Sequence, residues 1–158
     1  MEHFPAPLRR EESDDLVDRI EAGFETRGWG LWAVEVRDTA RFVGFVGLNP
    51  ATFDAPFTPA VEAGWRIARE HWGRGYATEG ARAAMAFGFD ELGLDELVSF
   101  TSHGNTRSRR VMERLGMRHD PDDDFDNSNV PADNPLRPHV LYRLDRERWR
   151  RLTALPPR

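Results

Sequence analysis

At 158 residues, with 39% apolar side chains, five Trp and ten Phe, the chain is long enough for one folded core and too aromatic for extended disorder. A formal net charge of -5 gives no sign of a nucleic-acid partner, and the lack of cysteine removes disulfides, thiolate metal sites and a cysteine nucleophile. No apolar run approaches the ~20 residues that span a bilayer, and Met1-Glu2-His3-Phe4-Pro5 has no signal-peptide pattern, so the expectation is a soluble, cytoplasmic protein with no membrane partner.

Residues 8–27 carry Leu16, Val17, Ile20 and Phe24 at helical spacing, with Ser13 as a cap or first-turn residue and Gly28 as the stop. Leu31 to Val36 alternates as a strand, with Trp32, Val34 and Val36 on one side. Arg37 to Ala40 is a turn, and Arg41 to Leu48 is a second strand that pairs with the first as an antiparallel hairpin. Asn49 to Pro59 reads as a loop whose Phe53 and Phe57 either fold onto the core or line a substrate mouth. Residues 60–68 form a strand with Ala63, Trp65 and Ile67 on one face and Glu62, Gly64 and Arg66 on the other. A glycine-rich turn follows, then a helix over 77–90 whose Ala81, Ala84, Met85 and Gly88 make a close-packed face.

Leu97 to Ser102 is a strand, and Asn105 to Leu115 is a helix ended by Gly116. A short strand begins at Met117, a polar loop covers Asp120 to Asn134, and His139 to Leu144 is the last strand. Arg146 to Arg151 is a basic tail containing Trp149. This order predicts one mixed α/β domain over residues 1–158, with no internal repeat.

The run Trp72-Gly73-Arg74-Gly75-Tyr76-Ala77-Thr78-Glu79 places small residues at 73, 75 and 77 just before a helix. Glycine reaches backbone angles closed to other residues and lets a ligand approach bare amides, which at a helix start hold anions. Arg74 adds positive charge, with Arg69 at the rim; Thr78 either caps the helix or meets a phosphate. The run lacks the third glycine of G-x-G-x-x-G and does not match G-x-x-x-x-G-K-[ST]. Taken alone, it is either a cofactor phosphate site or a tight structural turn.

Three motifs in order extend the reading: Glu62-Ala63-Gly64-Trp65, then His71 through Gly80, then Asn105-Thr106-Arg107-Ser108 through Glu113-Arg114-Leu115-Gly116-Met117. With them, residues 30–148 resemble the GNAT N-acetyltransferase family, in the branch of the ribosomal-protein alanine and serine N-acetyltransferases. The resemblance implies a central, mostly antiparallel mixed sheet flanked by helices, apparently without the family's usual first strand and helix. It implies acetyl-CoA as co-substrate, with its pyrophosphate on the amides of Gly73, Arg74, Gly75, Tyr76, Ala77 and Thr78, and Trp72 shielding that cofactor-binding loop or packing on the core. Trp72 stands where the family often has Gln or Arg. The resemblance also implies that the pantetheine arm of the co-substrate lies between residues 60–68 and 97–102, whose strands splay apart.

Direct transfer from a thioester needs a neutral amine, a donor for the oxyanion and help for the departing thiolate, but no enzyme nucleophile. Glu62 is the candidate base, against a structural reading as a salt-bridged acid; His71 and His103 flank the region but read as structural or solvated. Asn105 is an N-cap by position, and the resemblance adds a contact to the cofactor arm. The family's tyrosine acid is replaced by Met112, so Ser108 is the candidate that orients or hydrogen-bonds the sulfur. Asp122 to Asp126 reads as a solvated acidic face with a weak pull on cationic amines, and Asn127-Ser128 stand where relatives often carry His-Pro. No metal is assigned.

The acceptor is a primary amine of a protein N-terminus or small molecule, and a homodimer is compatible with the reading. A catalytically weak acetyl-CoA-binding regulatory module is the alternative.

Overall fold

The computed structural model describes residues 7–39 and 41–154; Ala40 of the expected turn lies outside them. Helix α1 spans Arg10–Arg27 and ends at Gly28, whose φ of 78° is the left-handed cap glycine supplies. Its start is not made by Ser13. Glu12 instead reaches back to accept the Arg9 amide at 2.7 Å, and Ser13 lies in the first turn with its amide on the Arg9 carbonyl. Val17, expected on the buried face, is 48% exposed.

The sheet runs β1 (Leu31–Val36), β2 (Arg41–Ala51), β3 (Ala60–Ile67), β4 (Glu96–Ser102), β7 (Pro138–Asp145) and β5 (Arg118–His119), with β6 (Phe125–Asp126) also on β7. All pairings are antiparallel except β3 with β4. Strand β2 runs three residues beyond Leu48, through Pro50, and brings Asn49 opposite Glu62.

Alternation divides the core into two layers. Val46, Leu48, Ala63, Leu97, Val140, Tyr142 and Leu144 face helix α2 (Tyr76–Ala86) in the main cluster. Gly80 lets that helix sit close, since a Cβ there would meet Val46 at 2.6 Å. The other face holds Val98, Leu141 and Phe125, with Phe53, Phe57 and Phe100 packed on them. Ring centroids 4.8–6.1 Å apart among these phenylalanines show that the 52–59 loop folds onto the sheet.

Helix α3 spans Thr106–Arg114. The basic tail is a helix, α4 (Arg146–Ala154). Trp149 is buried and stacks on Phe89 at 5.4 Å, while Arg148 donates to the Gly116 carbonyl at 2.6 Å. The arginines thus tie a helix down as well as solvate it. Among the described residues no helix is long and apolar enough to cross a membrane.

Candidate acetyl-transfer site

Strand β3 leads through a single 3-10 turn, Arg69–His71, into the glycine turn. Gly73 and Gly75 have φ of 76° and 86°, and a Cβ at either would meet nothing within 4 Å. The glycines are therefore required by backbone conformation and leave open space above the turn. Gly75, not Thr78, is the N-cap of α2, and no side chain caps this helix. The first helical amide to find a carbonyl is Glu79, on Gly75 at 2.9 Å. The amides of Tyr76, Ala77 and Thr78 thus have no carbonyl within the helix, a donor set that fits a pyrophosphate. Thr78 sits in the first turn.

Trp72, just before the first glycine, is tied back to β3. Its indole N–H donates to the Ile67 carbonyl at 2.7 Å, and the Arg107 guanidinium lies 4.6 Å from its ring, with Arg69 at 6.0 Å. Trp72 therefore links the end of β3 to the first turn of α3 (Thr106–Arg114). Arg107 was not singled out in the sequence; its position two residues after Asn105 gives no hint that it stacks on residue 72. His71 is buried beside the turn, its ring 6.4 Å from Tyr76.

Strands β3 and β4 share one register pair, Glu62 with Val98. Beyond it the strands have no ladder between them, which is the parting expected for residues 60–68 and 97–102. Glu62 stands at that junction on the face opposite Ala63 and α2. Half-buried there, its carboxyl is pushed up to about 7 by loss of solvation, and a hydrogen bond from Asn49 pulls the other way. A carboxylate titrating near neutrality suits proton transfer at physiological pH. Gly64, two residues on along the same face, would place a Cβ 3.5 Å from Glu62 Oε1, with only Glu62 atoms within 4 Å.

Asn105 and Ser108 form a locked pair. Asn105 Oδ1 accepts the Ser108 amide at 3.2 Å, the expected cap. Its Nδ2 donates to Thr101 Oγ1 at 2.9 Å and to Ser108 Oγ at 3.2 Å. Both amide hydrogens are engaged, so a second lone pair on Oδ1 is what Asn105 retains for a ligand. Ser108 accepts through its oxygen and keeps its O–H as a donor. Met112, at the position of the family tyrosine, is buried in the core. Tyr142 does not replace it, because its hydroxyl accepts from Arg109 at 3.3 Å and donates to Glu113 at 3.1 Å.

The acidic run is a solvated face, with Asp122, Asp124 and Asp126 exposed, but it is also paired. Asp123 takes Arg143 at 2.7 Å, Asp124 takes His119 at 2.7 Å, and Asp126 lies 3.7 Å from Arg137. These pairs fix the 120–137 loop, and Ser128 joins it to the 52–59 loop by donating to the Asp54 carbonyl at 3.1 Å. Between the two loops lies a recess of about 490 Å3 bounded by Asp54, Pro56, Asp124 and Asp126. His139 donates through Nδ1 to the Arg137 carbonyl and accepts from Asn127; burial lowers its pKa. It is a neutral structural histidine. His103 is exposed, and no group of side chains suited to a metal ion occurs among the described residues.

A family model described as "Acetyltransferase (GNAT) domain" matches residues 1–118. The chain belongs to the GNAT acetyltransferase family. The FsC-acetyl coenzyme A-N(2)-transacetylase of Aspergillus fumigatus is 35% identical over 129 residues, covering 79% of this chain and 54% of that protein. This GNAT chain spans about half the length of the curated relatives it matches. Among solved structures, an acetyltransferase from Agrobacterium tumefaciens superposes with a TM-score of 0.67 at 29% identity, over 88% of this chain and 74% of that one. The ribosomal-protein-S5-alanine acetyltransferase of Vibrio fischeri shares the fold at a TM-score of 0.70 and 15% identity, over 91% and 79%. The mixed α/β architecture with its mostly antiparallel sheet and flanking helices is that of GNAT acetyltransferases.

Proposed function

We propose that this GNAT chain transfers an acetyl group from acetyl-CoA to a primary amine by direct attack, with Glu62 as base. The observation that carries the reading is the position of Glu62. It stands at the last register pair before β3 and β4 part, on the strand that feeds the uncapped amides of α2. At ~3.3 Å per residue it lies about 17 Å up the strand from Ile67, within reach of a pantetheine arm whose pyrophosphate rests on the turn.

The residues of the turn, Trp72 through Thr78, hold the co-substrate, which supplies an activated acyl group as its thioester. Glu62 takes a proton from the attacking nitrogen as the N–C bond forms and the C–S bond breaks. Ser108, with its O–H left free by Asn105, donates to the departing sulfur, which takes its proton from solvent. Asn105 orients Ser108 and offers its remaining lone pair to the pantetheine amides. The acceptor is a protein N-terminus or a small amine, in the cytoplasm. The recess between the 52–59 and 120–137 loops, with its carboxylates, favours cationic acceptors.

Calorimetry with acetyl-CoA, followed by thiol release with a panel of N-terminal peptides, diamines and amino sugars, tests this. Binding together with amine-dependent thiol release is the expected result; failure to bind acetyl-CoA would sink it. The weaker reading, an acetyl-CoA-binding module without useful turnover, is favoured by Met112 and is signalled by binding with no release for any amine. If Ser108 assists only by hydrogen bonding, Ser108→Ala lowers kcat by roughly tenfold with KM for acetyl-CoA little changed, since one such bond is worth about 1–1.5 kcal/mol. Steady-state kinetics at pH 8 reads this split.

A further inference from the structure

We propose that Asn49 is the positioning residue of the base: its carboxamide, directly opposite Glu62 across β2 and β3, donates to the carboxylate and holds it beside the glycine gap at Gly64. The inference rests on Glu62 being the base named above. Three observations carry it.

Asn49 and Glu62 are register partners, so their side chains emerge side by side on the same face of the sheet. The Asn49 side chain holds the Glu62 carboxyl below the value that burial alone would give. Gly64 leaves the space next to the carboxylate open apart from Glu62 itself, so nothing on β3 restrains the carboxylate from that side. A flexible Glu side chain over a gap has several rotamers, and a cross-strand donor selects one of them.

Among the described residues, the register neighbours of Glu62 other than Asn49 supply no substitute. Strand β4 presents Val98 opposite Glu62. On the same face of β3 the next charge is Arg66, whose guanidinium stacks 5.4 Å from the Phe45 ring on β2. Burial and Asn49 account for the behaviour of the Glu62 carboxyl, with no charged group contributing. A neutral donor suits this place. A lysine or arginine would hold the carboxylate ionised far below neutrality and leave a poor base, whereas an amide orients it and trims its affinity for protons only modestly.

Asn49 is itself exposed, so its replacement need not disturb the core. The test uses the whole chain carrying 13C-labelled glutamate, with Asn49→Leu, which removes the donor, and Asn49→Asp, which keeps the shape and replaces it with an acceptor. NMR titration of the Glu62 carboxyl is expected to move upward by about one pH unit in Asn49→Leu and further in Asn49→Asp, a hydrogen bond to a charged group being worth about that much. The acid limb of kcat/KM is expected to move with it. An unchanged Glu62 titration in both variants, with far-UV circular dichroism intact, would overturn the proposal. A titration that moves while the acid limb stays fixed would keep the Asn49–Glu62 contact and remove Glu62 as the base, so failure of the two readings is separable.

Discussion

Glu62→Gln is expected to lower kcat/KM by roughly 10²–10³ above pH 7 and to erase the acid limb of the pH–rate profile, the range typical of a lost general base. In the unaltered protein burial pushes the carboxyl up to about 7. Below that pH it is protonated and cannot accept, so the rate rises about tenfold per unit until the midpoint and then levels. The same substitution is expected to stabilise the fold. Glu62 holds its proton in the folded chain up to about 7, against 4.5 for an ordinary glutamate. Between those values the folded state binds more protons than the unfolded one, so stability falls as pH rises through that window.

Glutamine does not ionise and escapes the penalty, a gain of roughly 3 kcal/mol at pH 8 and little at pH 4.5. Urea denaturation of both proteins at the two pH values measures it. Equal stability at pH 8 would mean that the sheet imposes no cost on the carboxylate, and the argument for a base poised near neutrality would go with it. Lower activity combined with higher stability is the signature of a group kept for chemistry at the expense of the fold.

What the sequence revealed follows from the range of each interaction. The glycine turn was legible because positive φ and a helix start are local properties of Gly73, Gly75 and the residues beside them. The strand faces were legible because alternation needs no knowledge of partners: Glu62 and Gly64 were set apart from Ala63 and Trp65 before any pairing was known. Other local cues left a choice open or misled. Ser13 and Thr78 are good capping types, but Glu12 reaching back to the Arg9 amide opens α1 and Gly75 opens α2. The α4 helix was hidden by its charge, since only Trp149 and Leu152 among its nine residues belong to or pack on the main cluster. Pro50 argued for a loop, yet it extends β2 opposite Val61.

The residues whose roles went unread share one cause. Asn49, Thr101 and Arg107 act through partners set by register or by helix–loop contact, which sequence spacing does not carry. Asn49 is thirteen positions from Glu62, and Arg107 is thirty-five from Trp72. The elevated pKa of Glu62 is hidden in the same way, because desolvation is a property of what the sheet and its loops place around the carboxyl. The acidic run shows the converse. Its charges were plain, but their pairing with Arg143, His119 and Arg137 makes them loop anchors before they are a lure for amines.

Gly75→Val is expected to cost the chain at least 10²-fold in acetyl-CoA affinity while leaving it folded. Two effects of this substitution are separable. The first is conformational: a φ of 86° lies in the left-handed region, which a β-branched residue enters at a cost of about 1–2 kcal/mol. For a chain of this length that lowers Tm by about 3–6 °C. The second is steric and touches only the ligand. A Cβ at 75 meets nothing within 4 Å, so no packing is broken, and the branched side chain occupies the open space above the turn. There it obstructs the approach of a phosphate to the amides of Tyr76, Ala77 and Thr78.

Gly75→Ala separates the two effects, since it incurs much of the backbone strain with far less bulk. Calorimetry should find Gly75→Ala weakened by about tenfold and Gly75→Val by far more, with similar losses of Tm. If the turn were structural alone, both variants would lose stability and neither would lose affinity beyond the strain they share. That result would move the co-substrate away from α2 and remove the strand geometry that places an acetyl group beside Glu62.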